Sequence, residues 1–196
     1  MIWMIHPIRK RYGPKPSFHE SDVARFLWLL RGGRKSRGAI ARELGIGEGS
    51  VRTIIAFLLK ARLIDVGRRG CALMKKGKAE ISSLGVKDAH SVPATELSYG
   101  RRAFAVVLKT REHAGLLWRD AAVKEGAEGA TTLRVKNGKP AAGIPGFRMR
   151  AADAEKIRSA LDAGEGDAIV LGFGKTPLDA ERGAWAAALS RAKQQL

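Results

Sequence analysis

The chain has 196 residues, 45% of them apolar, and carries 36 Lys and Arg against 19 Asp and Glu, a formal net charge of +17. That length and apolar share accommodate two modest cores, and a field of that sign attracts polyanions, either nucleic acid or an anionic membrane surface. The single cysteine, Cys71, excludes an internal disulfide framework and any Cys-pair zinc site.

The four histidines, His6, His19, His90 and His113, stand at no ligand spacing, and no stretch approaches the ~20 apolar residues of a membrane span. The apolar run from Met1 to Ile5 is too short for a signal-peptide core, and basic residues follow it rather than precede it. A cytoplasmic protein without membrane, metal or cofactor is expected. The charge is uneven: residues 1–96 hold 19 basic and 8 acidic side chains, net +11, and residues 97–196 hold 17 and 11, net +6. The N-terminal half is the better candidate for a polyanion contact.

Residues 1–16 contain Arg9-Lys10-Arg11 and Gly13-Pro14-Lys15-Pro16 and read as a basic arm, with room for a short strand at Ile2 to Ile5. From Ser17 the period becomes helical. Val23, Phe26, Leu27 and Leu30 follow the i, i+3, i+4, i+7 rule until Gly32-Gly33 stops the helix. Ser36 caps a second helix with Ile40 and Leu44 inward and Gly45 at its stop. A third helix is predicted from Ser50 to about Arg62. Leu63 to Arg68 and Cys71 to Met74 are strand candidates joined by the turn Gly67-Arg68-Arg69-Gly70. A fourth helix opens near Lys76 and ends near Gly85.

The third helix places Val51, Ile54, Ile55 and Leu58 on one side as a core face, with Ser50, Thr53 and Lys60 on or near the other and Arg52 at the border. A B-DNA major groove about 12 Å wide admits one such helix, N-terminus first. Glu48, Gly49, Ser50, Arg52, Thr53 and Lys60 are therefore the candidates to meet base edges or phosphates. Lys35, Ser36 and Arg37 open the second helix with positive charge and donors suited to a phosphate. The hairpin tip Arg68-Arg69 would reach along the duplex, and Lys75 and Lys76 add charge behind it. Contacts of this kind supply affinity rather than sequence choice.

The run from Arg37 to Ile55 resembles the helix-turn-helix of archaeal and bacterial winged-helix transcriptional regulators, and Leu63 to Glu80 resembles their wing and following helix. The whole layout resembles archaeal two-domain proteins with a winged helix followed by a C-terminal domain of unknown function. The resemblance implies binding to double-stranded DNA. Relatives often place basic residues in the middle of the recognition helix, where this chain has Ala56 and Phe57. Phe57 could touch a thymine methyl, pack on the first helix, or sit in a dimer contact.

Residues 86–98 read as a linker. Beyond it the order is strand (103–109), helix (115–126), strand (131–136), a turn at Asn137-Gly138, a short return strand, helix (151–161), strand (168–173) and helix (177–194). The segment Leu171-Gly-Phe-Gly-Lys-Thr-Pro177 ends a strand and opens a helix, so Gly172, Gly174, Lys175 and Thr176 form a candidate site for a small anionic effector. It is not a P-loop, because Ile169 stands where that motif needs glycine. Tyr99-Gly100-Arg101-Arg102 places two arginines beside a strand, and no catalytic constellation emerges; His113 beside Glu112 is proximity in sequence only.

The expected class is α+β: an N-terminal winged helix-turn-helix over residues 17–85, then a small α/β sandwich-like domain over 99–196 for ligand sensing or dimerisation. A homodimeric, non-enzymatic regulator is the leading reading, since twofold operators call for paired readers. The alternative makes the second domain an enzyme or nucleotide-binding module with the winged helix as its regulatory appendage.

Overall fold

The computed structural model describes residues 18–110, 115–142 and 147–194. The basic arm with its candidate strand, and His113, lie outside the described residues. The chain divides into two compact units after Ser83.

In the first unit, α1 (Glu20–Leu29) runs into a 3-10 turn at Leu30–Gly32 and is followed by α2 (Arg37–Leu44) and α3 (Glu48–Lys60). The apolar residues at helical spacing are the ones that disappear from solvent. Val23, Phe26, Leu27 and Leu30 are buried, as are Ile40 and Leu44 of α2. Ser36 caps α2 by accepting from the Ala39 amide at 3.2 Å. Gly45, at φ 65°, ends α2 in the left-handed region, and the Ile46 amide reaches back to the Ala41 carbonyl at 3.2 Å. The buried face of α3 is Val51, Ile54 and Leu58, while Ile55 is half-buried.

Strands β1 (Ile64–Gly67) and β2 (Gly70–Leu73) then form a wing-like antiparallel hairpin, and α4 (Lys75–Ser83) closes the unit. Gly67 pairs with Gly70, so Arg68 and Arg69 alone make the loop. Neither arginine has positive φ. Gly70 takes that conformation for them at φ 107°. A Cβ at Gly70 would also overlap the carbonyl oxygen of Lys35, and one at Gly77 of α4 would overlap that of Leu63. The Lys76 ammonium donates to the Ala61 carbonyl at 3.1 Å and so satisfies an end of α3.

The second unit is a five-stranded, wholly antiparallel sheet in the order β3-β4-β7-β5-β6. Its strands are β3 (Val86–Val92), β4 (Ala103–Leu108), β5 (Gly129–Lys136), β6 (Lys139–Ala142) and β7 (Ala168–Phe173), with helices α5 (Gly115–Lys124), α6 (Ala151–Ala160) and α7 (Pro177–Gln194). Residues 86–98 are thus not a linker but an edge strand and a 3-10 turn at Glu96–Ser98. The strand lacks the alternation that would have revealed it. A register shift between Val86 and Asp88 interrupts its start, and its buried residues, Val86, Ala89 and Val92, stand three apart. Strands β4 and β5 both flank β7, so the α5 crossover joins two strands that a third separates.

Alternate residues of β7, the central strand, serve opposite faces. Ile169, Leu171 and Phe173 join Ile157 and Leu161 from α6 and the segment after it in one core. Gly172 faces α7 so closely that a Cβ there would stand 2.6 Å from the Ala184 amide nitrogen. Trp118 of α5 and Trp185 of α7 are fully buried. Both sheet edges are blunted against pairing: β3 by its bulge, β6 by Pro140, which has no amide to donate.

An exchange of carboxylates holds α6. Asp153 accepts from the Glu96 amide at 3.0 Å, and Glu96 accepts from the Arg150 amide at 2.8 Å. The Glu96 amide, and then the Lys156 ammonium at 3.1 Å, hold the Asp153 carboxyl below its ordinary range.

Two predictions follow from this packing. Gly70→Ala and Gly77→Ala should each destabilise the protein by about 1–3 kcal/mol, as overpacking does, whereas Gly49→Ala, with open space around it, should stabilise it by about 0.4–1 kcal/mol. Thermal melts of the three variants check the contrast. Because the folded value of Asp153 is depressed, its contribution is present above the unfolded carboxylate range near pH 4 and is lost as pH falls through the folded value. Asp153→Asn should cost about 1–3 kcal/mol at pH 7, and urea titrations should show the gap narrowing as pH falls below the unfolded carboxylate range.

Candidate nucleic-acid interface

Burial of Val51, Ile54 and Leu58 fixes the rotation of α3. The outward face opposite Ile54 carries Glu48, Gly49, Arg52, Ala56, Leu59 and Lys60, all exposed. Arg52 therefore stands at the centre of this face and not at its border. Ser50 and Thr53 are half-buried, and the Thr53 hydroxyl donates to the Gly49 carbonyl at 3.1 Å. Ile55, placed on the core face by its spacing, is half-buried, and the outward face is rotated accordingly. Phe57 is half-buried.

The segment 34–37 ties the hairpin to the start of α3. Lys35 and Cys71 exchange backbone hydrogen bonds, amide to carbonyl, at 3.0 and 2.8 Å, so Lys35 adds a one-residue third strand to the hairpin. The Arg34 guanidinium donates to the Gly70 carbonyl and pairs with Asp65. Arg34 was not legible as a wing residue, because its partners lie 31 and 36 positions away and no local pattern marks them. Three residues after Arg34, Arg37 Nε meets Glu48 Oε2 at 3.1 Å, joining the first residues of α2 and α3. The neighbouring Cys71 is buried, and burial pushes its thiol up, away from thiolate chemistry.

These contacts sort the basic residues into two groups. Lys35 is paired with Glu43 at 2.8 Å, Arg37 with Glu48 and Arg34 with Asp65. Arg52, Lys60, Arg68 and Arg69 are exposed with no carboxylate within 4.0 Å among the described residues. A paired cation must give up its carboxylate before a phosphate gains its full charge, whereas an open one need not.

The candidate anion site of the second unit is differently built. Gly172 and Gly174 are buried, and their missing side chains make room for α7: a Cβ at Gly174 would stand 2.8 Å from that of Asp179. Lys175 and Thr176 are exposed. Thr176 caps α7 by accepting from the Asp179 amide at 3.1 Å, and Asp179 accepts from the Thr176 amide at 3.1 Å. This reciprocal cap puts a resident carboxylate where an anion would sit. Of the two arginines after Gly100, Arg101 pairs with Glu128 at 2.7 Å and Arg102 is exposed. Among the described residues no group of three or more His, Cys, Asp or Glu could hold a metal ion, and no helix is long and apolar enough to cross a membrane.

Comparison with known proteins follows the same division. Residues 20–79 match the model of the PH0730-like N-terminal domain, and residues 99–191 match a domain of unknown function, DUF4443. No curated protein matches the sequence. Among solved structures, the chain is similar to the hypothetical protein PH0730 from Pyrococcus horikoshii OT3, at 27% identity and a TM-score of 0.75, over 91% of this chain and 95% of that one. The chain thus matches a PH0730-like N-terminal domain and a domain of unknown function, and its structure is similar to that of a protein that is itself hypothetical.

Proposed function

We propose that the N-terminal unit is a winged helix-turn-helix that binds duplex DNA, and that the protein is a transcriptional regulator acting as a homodimer. One observation carries the reading. The segment 34–37 is bonded on one side to the base of the arginine-tipped hairpin and on the other to the first residue of α3. A wing and a helix start held to one short segment suit a groove and its flanking phosphates. The net charge of +17 supplies the field.

In this reading Arg52 meets the groove floor, Arg68 and Arg69 meet the backbone or the minor groove, and Lys60 adds charge. Ala56 and Leu59 give the second half of α3 an apolar outer face, suited to thymine methyl groups. The second unit serves dimerisation or effector sensing. The alternative, a nucleotide-binding module at Gly172 to Thr176, draws less support, since Asp179 already accepts the Thr176 amide.

The test is fluorescence anisotropy with a duplex across a salt series. Each open cation that touches a phosphate contributes about one unit to the slope of log K against log salt. Arg68→Ala with Arg69→Ala should lower the slope by roughly 1–2 units. Lys35→Ala with Arg37→Ala should lower it by less, because both cations start in ion pairs. Absence of duplex binding at low salt, or a slope indifferent to Arg68 and Arg69, overturns the proposal.

A further inference from the structure

An exposed carboxylate at the leading end of a helix that meets a polyanion calls for a reason. Glu48 is the first residue of α3, and its side chain is 56% exposed on the face that carries Arg52. Near phosphates it costs Coulomb energy, so it adds nothing to general affinity. Arg37 fixes one of its oxygens, Oε2, at 3.1 Å, and the other, Oε1, accepts no hydrogen bond among the described residues. Four residues on, Arg52 is exposed and open. Side chains at i and i+4 start about 5–6 Å apart, the scale of the two edges of one base pair.

We infer that Glu48 is a specificity-determining residue that selects a C·G pair, its carboxylate accepting from the cytosine 4-amino group while Arg52 donates to the guanine. This rests on the duplex-DNA reading of the N-terminal unit. The major groove leaves few choices to an acceptor-only side chain. Guanine offers only acceptors there, and thymine an acceptor and a methyl group. Adenine sets its N7 acceptor beside its amino group, and cytosine alone presents a donor with no acceptor of its own. A carboxylate next to guanine or thymine stays desolvated and unpaired, and next to adenine one oxygen meets the N7 lone pair beside the amino group; those penalties are what reject the other bases. Arg37 positions the group: its guanidinium keeps one oxygen at the helix start and leaves the second free to turn outward. The unpaired Arg52, a bidentate donor, suits the O6 and N7 acceptors of the guanine opposite.

The experiment is enrichment from a random-sequence duplex pool by the native full-length chain, by Glu48→Ala and by Glu48→Gln. Anisotropy follows, with four duplexes that differ only at the selected pair. The native protein should enrich cytosine at one position of each half-site. Glu48→Ala should lose about 5- to 150-fold in preference at that position, the range of one good base contact, with equal or tighter binding to the other three duplexes. Glu48→Gln, which conserves shape and offers both a donor and an acceptor, should shift the preference toward adenine. If Glu48→Ala enriches the same base and binds all four duplexes more weakly by one factor, Glu48 only holds Arg37, and this inference alone is overturned. If the native protein binds duplex but enriches no base, the assignment of Glu48 falls and the duplex reading stands; if it binds no duplex at low salt, the duplex reading falls and the assignment falls with it.

Discussion

Lys35 and Cys71 exchange two backbone hydrogen bonds, at 3.0 and 2.8 Å, and the first unit depends on that exchange. A two-stranded hairpin is marginal by itself in water. Here it gains a third strand one residue long and a guanidinium from Arg34 beneath its turn. The approach is close enough that only glycine fits at position 70, where positive φ is needed as well. Because the same residues lead directly into α2, the hairpin cannot shift without moving the helix starts. A hairpin held in this way presents its two arginines in a defined place, which a free loop would not do.

The electrostatics of that unit are selective rather than simply positive. The basic residues nearest the helix starts have carboxylate partners, and those on the outer face of α3 and at the hairpin tip do not. Exposed pairs of this sort contribute little to stability, typically 0–1 kcal/mol. Their consequence is geometric: they orient Arg34, Lys35 and Arg37 along the backbone and leave the reach into solvent to other residues. A count of charges in the sequence treats all of these residues alike.

The second unit answers a different constraint. Its central strand is buried along its whole length, between a core shared with α6 on one side and the close approach of α7 on the other. Glycines 172 and 174, which suggested a ligand site, are explained by that approach. Helix α7 lies against the strand at backbone distance, and Asp179 and Thr176 satisfy its first amides. Small residues in a strand-to-helix turn admit either a ligand or a helix, and local sequence does not distinguish them.

Much of the chain was legible by itself. Among the described residues, periodicity and caps marked all seven α-helices and six of the seven strands, because burial at period 3.6 or 2 and punctuation by Ser36, Gly45, Gly70 and Asn137-Gly138 are local matters. The β3 strand was missed because its buried residues, Val86, Ala89 and Val92, stand three apart and lack the alternation that sequence reading relies on. The candidate site was legible as a set of segments, namely the start of α2, the start of α3 and the hairpin tip. The tertiary structure decided which of their residues are open. The rotation of α3 follows from what it packs against, and that set Arg52 at the centre and drew Ser50 and Thr53 inward. Pairings such as Arg34 with Asp65 and Arg37 with Glu48 join residues distant in sequence, and only the closed core brings them within reach.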